Sequence, residues 1–364
     1  MGAACSCGLP PRVPAVVHKC MLDDDVISLI LAQLPMAKWD AMASISTVWA
    51  RAVLSKARET SHVKLIGFLP SASSFTWPTC AAPRKGGGLM VSEAWSHQIV
   101  CYDPAGRKCG SIGSVGRQPG QLIYPTALAV GPNGNIFVVD SGNHRIQVFD
   151  AGTCAPLQQV GSAGEGDGQF GSPKAIAYDC GKVIVSDGGQ HRLSVFSAET
   201  LVFERHIGRK GNGAGELNTP EGLAIWHGKE GEGDNGSESS HEHHRTQLYV
   251  ADSENHRVQV FDLVSGRHLR IIGDGQGRRP GQFEQPSGVA IDLFSRLIVS
   301  ECKGRRLQVL SLQGEPLQIV PLVNSTLKSV CCPQDGDDAK QGKVYVCDFA
   351  NHRIGLLQLL PQRI

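Results

Sequence analysis

A short motif that returns at a nearly constant interval constrains this chain more than any other feature. Its clearest copies place a His four residues after an Asp and continue with an Arg and an alternating apolar run, as in residues 139–150. The His position is filled in turn by His97, His144, His191, His256, Arg305 and His352. The intervals are 47, 47, 65, 49 and 47 residues, and the long one contains an insertion, residues 227–245. Six copies of one supersecondary unit therefore follow one another along the chain.

The second unit shows the strand pattern that the units share. Residues 127–130 are predicted to form a first strand, Gly-Pro-Asn-Gly turns the chain at 131–134, and strands follow at 135–140, 145–150 and 156–160. Val, Ile and Phe alternate along these segments, and Gly, Pro and Asn bound them, as is typical of short strands and tight turns. Glycine supplies 43 of the 364 residues, about twice the average frequency, in keeping with many turns.

Six four-stranded units predict a radial arrangement of sheets. One such sheet leaves both faces uncovered, whereas six sheets around an axis cover one another and protect most strand edges. Small residues such as Ala127 and Ala175 suit the innermost strands, where the sheets converge. Residues 63–67 are similar to a fourth strand, and the last unit ends near Leu360 after its third, so we expect both ends of the chain to share one sheet. The sequence predicts a mainly β, six-bladed β-propeller over residues 63–364.

The repeats resemble NHL repeats, a family named for an Asn-His-Leu-type triplet. The triplets here are Asn-His-Arg at 143–145, 255–257 and 351–353, and Gln-His-Arg at 190–192. The resemblance covers residues 63–364 and implies a six-bladed propeller that binds other molecules. It also implies two alternatives, because some NHL propellers bind RNA through a basic face and one six-bladed relative is an amidating lyase with a metal in its channel.

The recurring Asp and His side chains suggest catalysis, but their repetition opposes that interpretation. An enzyme has one active site, whereas a short Asp that accepts turn N–H bonds, and a His that pairs with it or with a carbonyl, can stabilise every unit. We predict structural turns around Asp140, His144, Asp187, His191, Asp252, His256, Asp348 and His352. We predict no catalytic residue, no metal site and no cofactor, and we assign the His-rich stretch 241–244 to a solvated loop.

Charge placement carries more information than the net charge of +1. In an up-and-down blade, the turn between the second and third strands and the connectors between blades lie on one face. That face receives the candidate basic residues Arg117, Arg209, Lys210, Arg278, Arg279 and Arg305. Acidic residues of the insertion and of residues 335–338 fall on the opposite face. Arginines after the His positions serve equally well to brace neighbouring blades, so binding and bracing both stay open.

Residues 21–60 have a different pattern, with apolar side chains at helical spacing. The positions concerned are Leu22, Val26, Ile27, Ile30 and Leu34, followed by Pro35. This stretch resembles the opening of an F-box, and Trp49 falls where that motif has its tryptophan, although Asp23 replaces the usual Pro. The resemblance implies a small α-helical domain that docks on the adaptor protein of a cullin ubiquitin ligase. The alternative is a helical cap that packs on the propeller.

Residues 1–20 are predicted to form a flexible tail that begins with an acylation pattern. Gly2 fits N-myristoylation, and Cys5 or Cys7 is available for a second acyl chain, which stable membrane anchoring requires. The 12 cysteines include no C-x-x-C pair, which argues against a zinc-bound RING. Without a signal peptide or an apolar run of about 20 residues, we expect a cytoplasmic protein, bound to membranes only if it is acylated.

Together these features predict the substrate-recognition subunit of a cullin-type ubiquitin ligase. The F-box-like segment would hold the adaptor and the propeller would bind an unknown protein target, with only residues 59–62 between them. The chain itself would perform no chemistry. The alternative is an RNA-binding or protein-scaffold propeller without ubiquitin transfer, and few aromatic residues are expected on the basic turns to support RNA binding.

Overall fold

Six four-stranded antiparallel sheets make up the described part of the chain. Five of them run in chain order from the inner to the outer strand, and the sixth takes its outer strand from the start of the described chain. The computed structural model describes residues 63–69, 75–84, 87–228, 246–322, 324–334 and 336–360. The inner strands of successive sheets contact one another around a closed ring. The predicted six-bladed β-propeller is therefore confirmed.

The strands of the first three blades, with the strand that precedes them, are β1 (Val63–Phe68), β2 (Pro78–Pro83), β3 (Leu89–Glu93), β4 (Gln98–Tyr102), β5 (Lys108–Ile112), β6 (Pro125–Val130), β7 (Ile136–Asp140), β8 (Arg145–Phe149), β9 (Pro156–Val160), β10 (Pro173–Asp179), β11 (Lys182–Asp187), β12 (Arg192–Ser197) and β13 (Phe203–Ile207). Those of the last three blades are β14 (Pro220–Trp226), β15 (Gln247–Asp252), β16 (Arg257–Asp262), β17 (His268–Ile272), β18 (Pro286–Ile291), β19 (Arg296–Glu301), β20 (Arg306–Ser311), β21 (Pro316–Pro321), β22 (Leu327–Cys331), β23 (Lys343–Asp348) and β24 (Arg353–Leu359). One helix, α1 (Gly336–Lys340), precedes β23, and 3₁₀ turns follow β7 and β15 at Ser141–Asn143 and Ser253–Asn255.

Strand β1 closes the ring by completing the sixth blade. It pairs antiparallel with β24, so that Val63 lies opposite Leu359 and Phe68 opposite Gly355. The Val63 amide donates to Oε1 of Gln318 at 2.8 Å, and the Gln318 side-chain amide donates back to the Val63 carbonyl at 2.9 Å. These bonds join the closing strand to the fifth blade as well. The expectation that residues 63–67 share a sheet with the end of the chain is confirmed.

The hydrophobic core is divided into clusters that lie between neighbouring blades. In β7, Ile136 and Val138 pack toward the first blade, whereas Phe137 and Val139 pack toward the third. Successive side chains of a strand point to opposite faces, so a strand between two other sheets needs apolar residues at every position. The period-two pattern of the sequence thus becomes a pair of packing surfaces for each blade.

Five of the six connectors between blades insert one apolar side chain into the gap that they cross. The residues concerned are Phe75, Leu122, Phe170, Leu217 and Phe283, each three positions before a proline. Each is almost completely buried and belongs to the cluster between the two blades it joins. Burial of a large side chain of this kind contributes roughly 1.5–3 kcal/mol, so the connectors help to hold the blades together.

The two faces of the propeller carry different turns. One face is formed by the blade-to-blade connectors and by the turns between the second and third strands, and we call it the histidine face. These turns are residues 94–97, 141–144, 188–191, 253–256, 302–305 and 349–352. The opposite face carries the other turns of each blade. The described chain enters on this opposite face, because Val63 pairs with Leu359 at the end of the sheet where β23 begins.

Several predictions concern residues outside the described part. The F-box-like segment 21–60, the tail with Gly2, Cys5 and Cys7, and most of the insertion fall there, as does Asp335. Within the described ranges, no helix combines the length and the apolar character needed to cross a bilayer.

The closing strand provides a test of the fold. We expect Val63→Asp to lower the free energy of unfolding by about 3–5 kcal/mol, because Val63 is buried in an apolar cluster where a carboxylate is costly. Urea unfolding followed by circular dichroism measures the change. The neighbouring Lys64→Asp is the control, since Lys64 is exposed on the same strand. Equal stability of the two variants would contradict closure through β1.

Candidate functional site

A buried carboxylate stands at the centre of the turns on the histidine face. Oδ1 of the fully buried Asp140 accepts the backbone N–H of Ile123 at 2.7 Å, and Oδ2 accepts Nε of Arg145 at 2.8 Å. The side chains of Asn143 and Gln147 also donate to Oδ2. The arrangement recurs around Asp252, Glu301 and Asp348. A carboxylate that accepts four hydrogen bonds from within the fold fixes the turn.

The repeated histidines connect each blade to the next. Nδ1 of His97 accepts the backbone N–H of Tyr124 at 3.0 Å, and Nδ1 of His191 accepts that of Thr219 at 3.0 Å. His256 and His352 accept the N–H groups of Gln285 and Trp77, each at 3.2 Å. We expected a bond to the Asp of the same turn or to a carbonyl. The difference arises because each His has a left-handed backbone, with φ between 53° and 57°, which directs its ring across to the neighbouring blade.

Each of these bonds holds the donor residue in an unusual conformation. Trp77, Tyr124, Thr219 and Gln285 directly precede a proline and have φ between 48° and 54°. Such values cost a residue other than glycine about 1–2 kcal/mol, so the bond to the imidazole stabilises a strained backbone. Burial, followed by the charge of Lys210, lowers the pKa of His191, which keeps its ring neutral and able to accept.

The third blade departs from this pattern and so tests its logic. Both oxygens of Asp187 accept backbone N–H groups there, from Gly171 and Ser172, each at 2.8 Å. The Nδ1 atom of His144, the histidine of the preceding blade, is buried and has no hydrogen-bond partner in the described part of the chain. Ser172 also lacks the positive φ of its counterparts. The residue before the proline therefore has a positive φ in the blades where a histidine Nδ1 accepts its backbone N–H, and not in the third blade, where that bond is absent.

The arginines that follow the His positions brace the connectors. Arg145 and Arg257 are nearly buried and donate to backbone carbonyls of the preceding connector as well as to their Asp. Arg306 makes the equivalent contacts to Glu301 and the Gln282 carbonyl. For these residues bracing, and not binding, is the observed role.

The six candidate basic residues are exposed on the histidine face, as expected from the turns that carry them. Arg209 pairs with Glu216 and Arg278 with Glu284, each at 3.0 Å. No ion pair involves the other candidates, Arg117, Lys210, Arg279 and Arg305, among the described residues. The same face also exposes Glu165, Asp167, Glu254 and Asp274. The histidine face is consequently of mixed charge.

An arc of aromatic side chains lies on the histidine face between the sixth and second blades. The Trp77 ring is 4.8 Å from that of Trp95 and 5.1 Å from that of Phe349, measured between centroids. Trp95 is 6.5 Å from Tyr124, which contacts His97 at 4.8 Å. Trp95 and Tyr124 are 56% and 40% exposed. We call Phe349, Trp77, Trp95 and Tyr124 the aromatic arc, and it contradicts the expected scarcity of aromatic residues there.

A cavity of about 570 Å³ runs along the propeller axis beneath the arc. Trp77, Tyr124 and Phe349 border it on the histidine face, and small residues of the inner strands such as Ala127 and Ala290 form much of its wall. Its charged residues are Lys174, Glu221 and Lys328, which we did not single out from the sequence. Each of the three directly follows the first residue of an inner strand. An alignment of the repeats on that residue would have placed the three charged residues at the same position.

The cavity offers little for catalysis. Desolvation raises the pKa of the Cys331 thiol to about 12, and burial raises that of Cys80, so both thiols are protonated at neutral pH. Among the described residues, no group of three or more His, Cys, Asp or Glu side chains is placed to hold a metal ion.

The structural role of the carboxylate turns can be tested directly. We expect Asp252→Ala to cost about 3–5 kcal/mol of unfolding free energy, since it leaves Arg257 buried without its partner. Chemical denaturation gives the value. The exposed Asp103–Arg107 pair supplies the control, Asp103→Ala, with an almost unchanged midpoint. A small effect of Asp252→Ala would reopen the question of a chemical role for these residues.

Comparison with known proteins supports the repeat assignment. The family profile of the NHL repeat matches residues 122–149 and 247–261. The chain is 32% identical over 91 residues to protein brain tumor of Drosophila melanogaster, which is 24% of this chain and 9% of that protein. It is 30% identical over 88 residues to NHL repeat-containing protein 2 of Gallus gallus, which is 22% of this chain and 12% of that protein. The matches thus span about a tenth of these relatives.

Solved structures share the propeller at low sequence identity. A gluconolactonase from Xanthomonas campestris has a TM-score of 0.58 at 12% identity, over 84% of this chain and 93% of that one. Virginiamycin B lyase from Staphylococcus aureus has a TM-score of 0.51 at 11% identity, over 82% of this chain and 100% of that one. At these identities the likeness shows the fold alone. The chain contains NHL repeats arranged as a six-bladed β-propeller.

Proposed function

We propose that this chain is a recognition module that binds a protein target on the histidine face of its propeller. The observation that carries the proposal is the aromatic arc at the mouth of the axial cavity. Large exposed aromatic side chains are enriched at the centres of protein interfaces, where they bury much area at little entropic cost. A rim of mixed polar and charged groups around such a centre is the usual composition of a protein-binding surface.

The charges of the histidine face favour a protein over RNA. Binding to single-stranded RNA combines stacking bases with a groove of one electrostatic sign along the phosphates. Here Glu165, Asp167, Glu254 and Asp274 stand on the same face as the basic residues, and Arg209 and Arg278 are already paired. Four of the six candidate basic residues make no ion pair among the described residues, which keeps RNA as the second candidate.

The F-box-like segment suggests a partner for this module. We infer that Leu22, Val26 and Ile27, with the apolar positions that follow, dock on the adaptor of a cullin ubiquitin ligase. The chain enters the propeller on the face opposite the aromatic arc, and only residues 59–62 lie between the F-box-like segment and the propeller. A short linker restricts the distance between adaptor and target, so ubiquitin transfer would depend on positioning and not on chemistry by this chain.

The same proposal includes a location. We expect the module in the cytoplasm, where cysteines stay reduced. Acylation of Gly2 with Cys5 or Cys7 would move it to a membrane surface.

The target-binding face is tested with a matched pair of aromatic substitutions. We expect Trp95→Ala to weaken target binding about tenfold, because truncation of a central aromatic residue commonly costs 1–2 kcal/mol or more. Phe294→Ala is the control, since Phe294 is 45% exposed on the opposite face. Crosslinking of tagged full-length protein in cells, followed by quantitative mass spectrometry, compares the proteins captured by the two variants.

Two outcomes would contradict protein binding at the arc. One is the same set of captured proteins for both variants. The other is capture of single-stranded RNA with a steep salt dependence that Arg279→Glu reduces, which would favour the RNA function.

The adaptor interaction has its own test. We expect Val26→Asp with Ile27→Asp to abolish co-purification of the cullin adaptor, because two carboxylates would enter an apolar docking surface. Val13→Asp with Val16→Asp makes the same chemical change outside the motif and serves as control. Adaptor retained by the Val26 and Ile27 variant would contradict docking through this motif. Absence of the adaptor from the unsubstituted protein would remove the ligase role and leave a propeller that binds its target without ubiquitin transfer.

A further inference from the structure

One residue from each blade contributes to a ring at the histidine-face end of the axial cavity. The ring follows the first residue of each inner strand and consists of Thr79, Thr126, Lys174, Glu221, Ser287 and Lys328. All six line the cavity. These six residues occupy equivalent positions in the six blades. They therefore differ in the chemistry of their side chains and not in their place in the fold.

The hydroxyl members of the ring are used within the fold. Oγ1 of Thr79 donates to the Pro125 carbonyl at 3.2 Å, and Oγ of Ser287 donates to the Leu327 carbonyl at 2.9 Å. Each bond therefore reaches the first residue of the next inner strand. Such bonds hold neighbouring inner strands together and leave these hydroxyls little capacity for a ligand.

The charged members of the ring are not balanced. Lys328 reaches Glu221 across the fifth blade at 3.4 Å, and glycines at Gly222 and Gly288 let the three inner strands approach closely. A Cβ atom on either glycine would lie 2.6 Å from a backbone oxygen of the next strand. Lys174 is half-buried and makes no ion pair or side-chain hydrogen bond within the described residues. Two ammonium groups and one carboxylate leave the ring with one positive charge.

We propose that this ring binds the free carboxylate at the carboxyl terminus of a target peptide, with Lys174 as its main contact. The proposal rests on the protein-recognition function above and specifies the chemical feature that is recognised. Lys174 offers three donors, and a hydrogen bond between charged groups is among the strongest that a side chain can form. Lys328, although shared with Glu221, adds a second positive charge beside the same opening.

The surroundings of the ring select a chain end over other anions. A carboxylate carries one negative charge, which the single excess positive charge of the ring neutralises, whereas a doubly charged phosphate would leave one negative charge uncompensated beside Glu221. A chain end enters a channel as a single strand, while an internal acidic residue must bring a chain segment on both sides. The last side chain of the peptide would then lie among the small inner-strand residues, and the residues before it would contact Trp77 and Tyr124.

Burial by itself would lower the pKa of Lys328, but the Glu221 carboxylate outweighs it and raises that pKa. Lys328 is therefore charged at neutral pH and supports the positive sign of the ring.

Two peptide pools test the proposal on the full-length protein. Randomised hexapeptides are synthesised with a free carboxyl terminus or as carboxamides, each with and without Asp and Glu in the sequence. Retained peptides are quantified by mass spectrometry. We expect free acids to be retained about tenfold over carboxamides, whether or not acidic side chains are present. Equal retention of acids and amides would overturn the proposal, and so would retention that depends on internal Asp or Glu.

Variants locate the site within the molecule. We expect Lys174→Met to remove the preference for free acids, and Glu221→Gln to increase it several-fold by removing the like charge. Lys108→Met, on the exposed outer strand β5, is the matched control and keeps the preference. A thermal melt of each variant shows whether it is folded. We expect Lys174→Met to fold, because Lys174 has no ion pair to lose among the described residues. A folded Lys174→Met protein with an unchanged preference would overturn the assignment.

The results separate this proposal from the recognition function on which it rests. If Trp95→Ala loses its targets while acids and amides bind equally, the carboxylate site fails and protein recognition stands. If acids are preferred while Trp95→Ala captures the same proteins, the channel site stands and the aromatic arc is not the target-binding surface.

Discussion

The propeller depends on how two adjacent backbone N–H groups are shared before its inner strands, a pattern that is complete in the second, fourth and fifth blades. In the second blade, Ile123 donates to Asp140 of its own blade and Tyr124 donates to His97 of the blade before. The first bond fixes a connector to the turn it covers, and the second fixes that blade to its neighbour. Both acceptors are side chains of the repeated motif. The same residues that define the sequence repeat therefore also fix how one blade is placed against the next.

That constraint also shapes the binding surface. The bond to the imidazole holds the residue before the proline at positive φ, and in two blades this residue is aromatic, Trp77 and Tyr124. The strain is supported by burial of the neighbouring carboxylates and by the connector side chains that fill the gaps between blades. The side chains that suggest catalysis in the sequence therefore help to position the aromatic arc.

Approximate symmetry of the backbone is combined with asymmetry of the side chains. At one ring position the six blades present three hydroxyls, two lysines and one glutamate, so the cavity gains a single excess charge on one side. On the face above it, the aromatic arc lies on the sixth, first and second blades, and residues of both charges surround it. A recognition surface of this kind needs no change in the repeated scaffold, because the side chains that differ are not those that make the hydrogen bonds of the turns.

The sequence by itself determined the number of blades, their strands and the closure through residues 63–67, because strand alternation, turn residues and repeat spacing are local and periodic. It also indicated that the Asp and His residues are structural, since they recur in most units. Only the tertiary structure showed that Phe349 contacts Trp77, because ring closure brings together the first and last blades, which are far apart in the sequence. The left-handed backbone at His97, which turns its ring toward Tyr124, likewise has no signature in the residue pattern. The contact between Lys328 and Glu221 depends on the close approach of three inner strands, which no single repeat encodes.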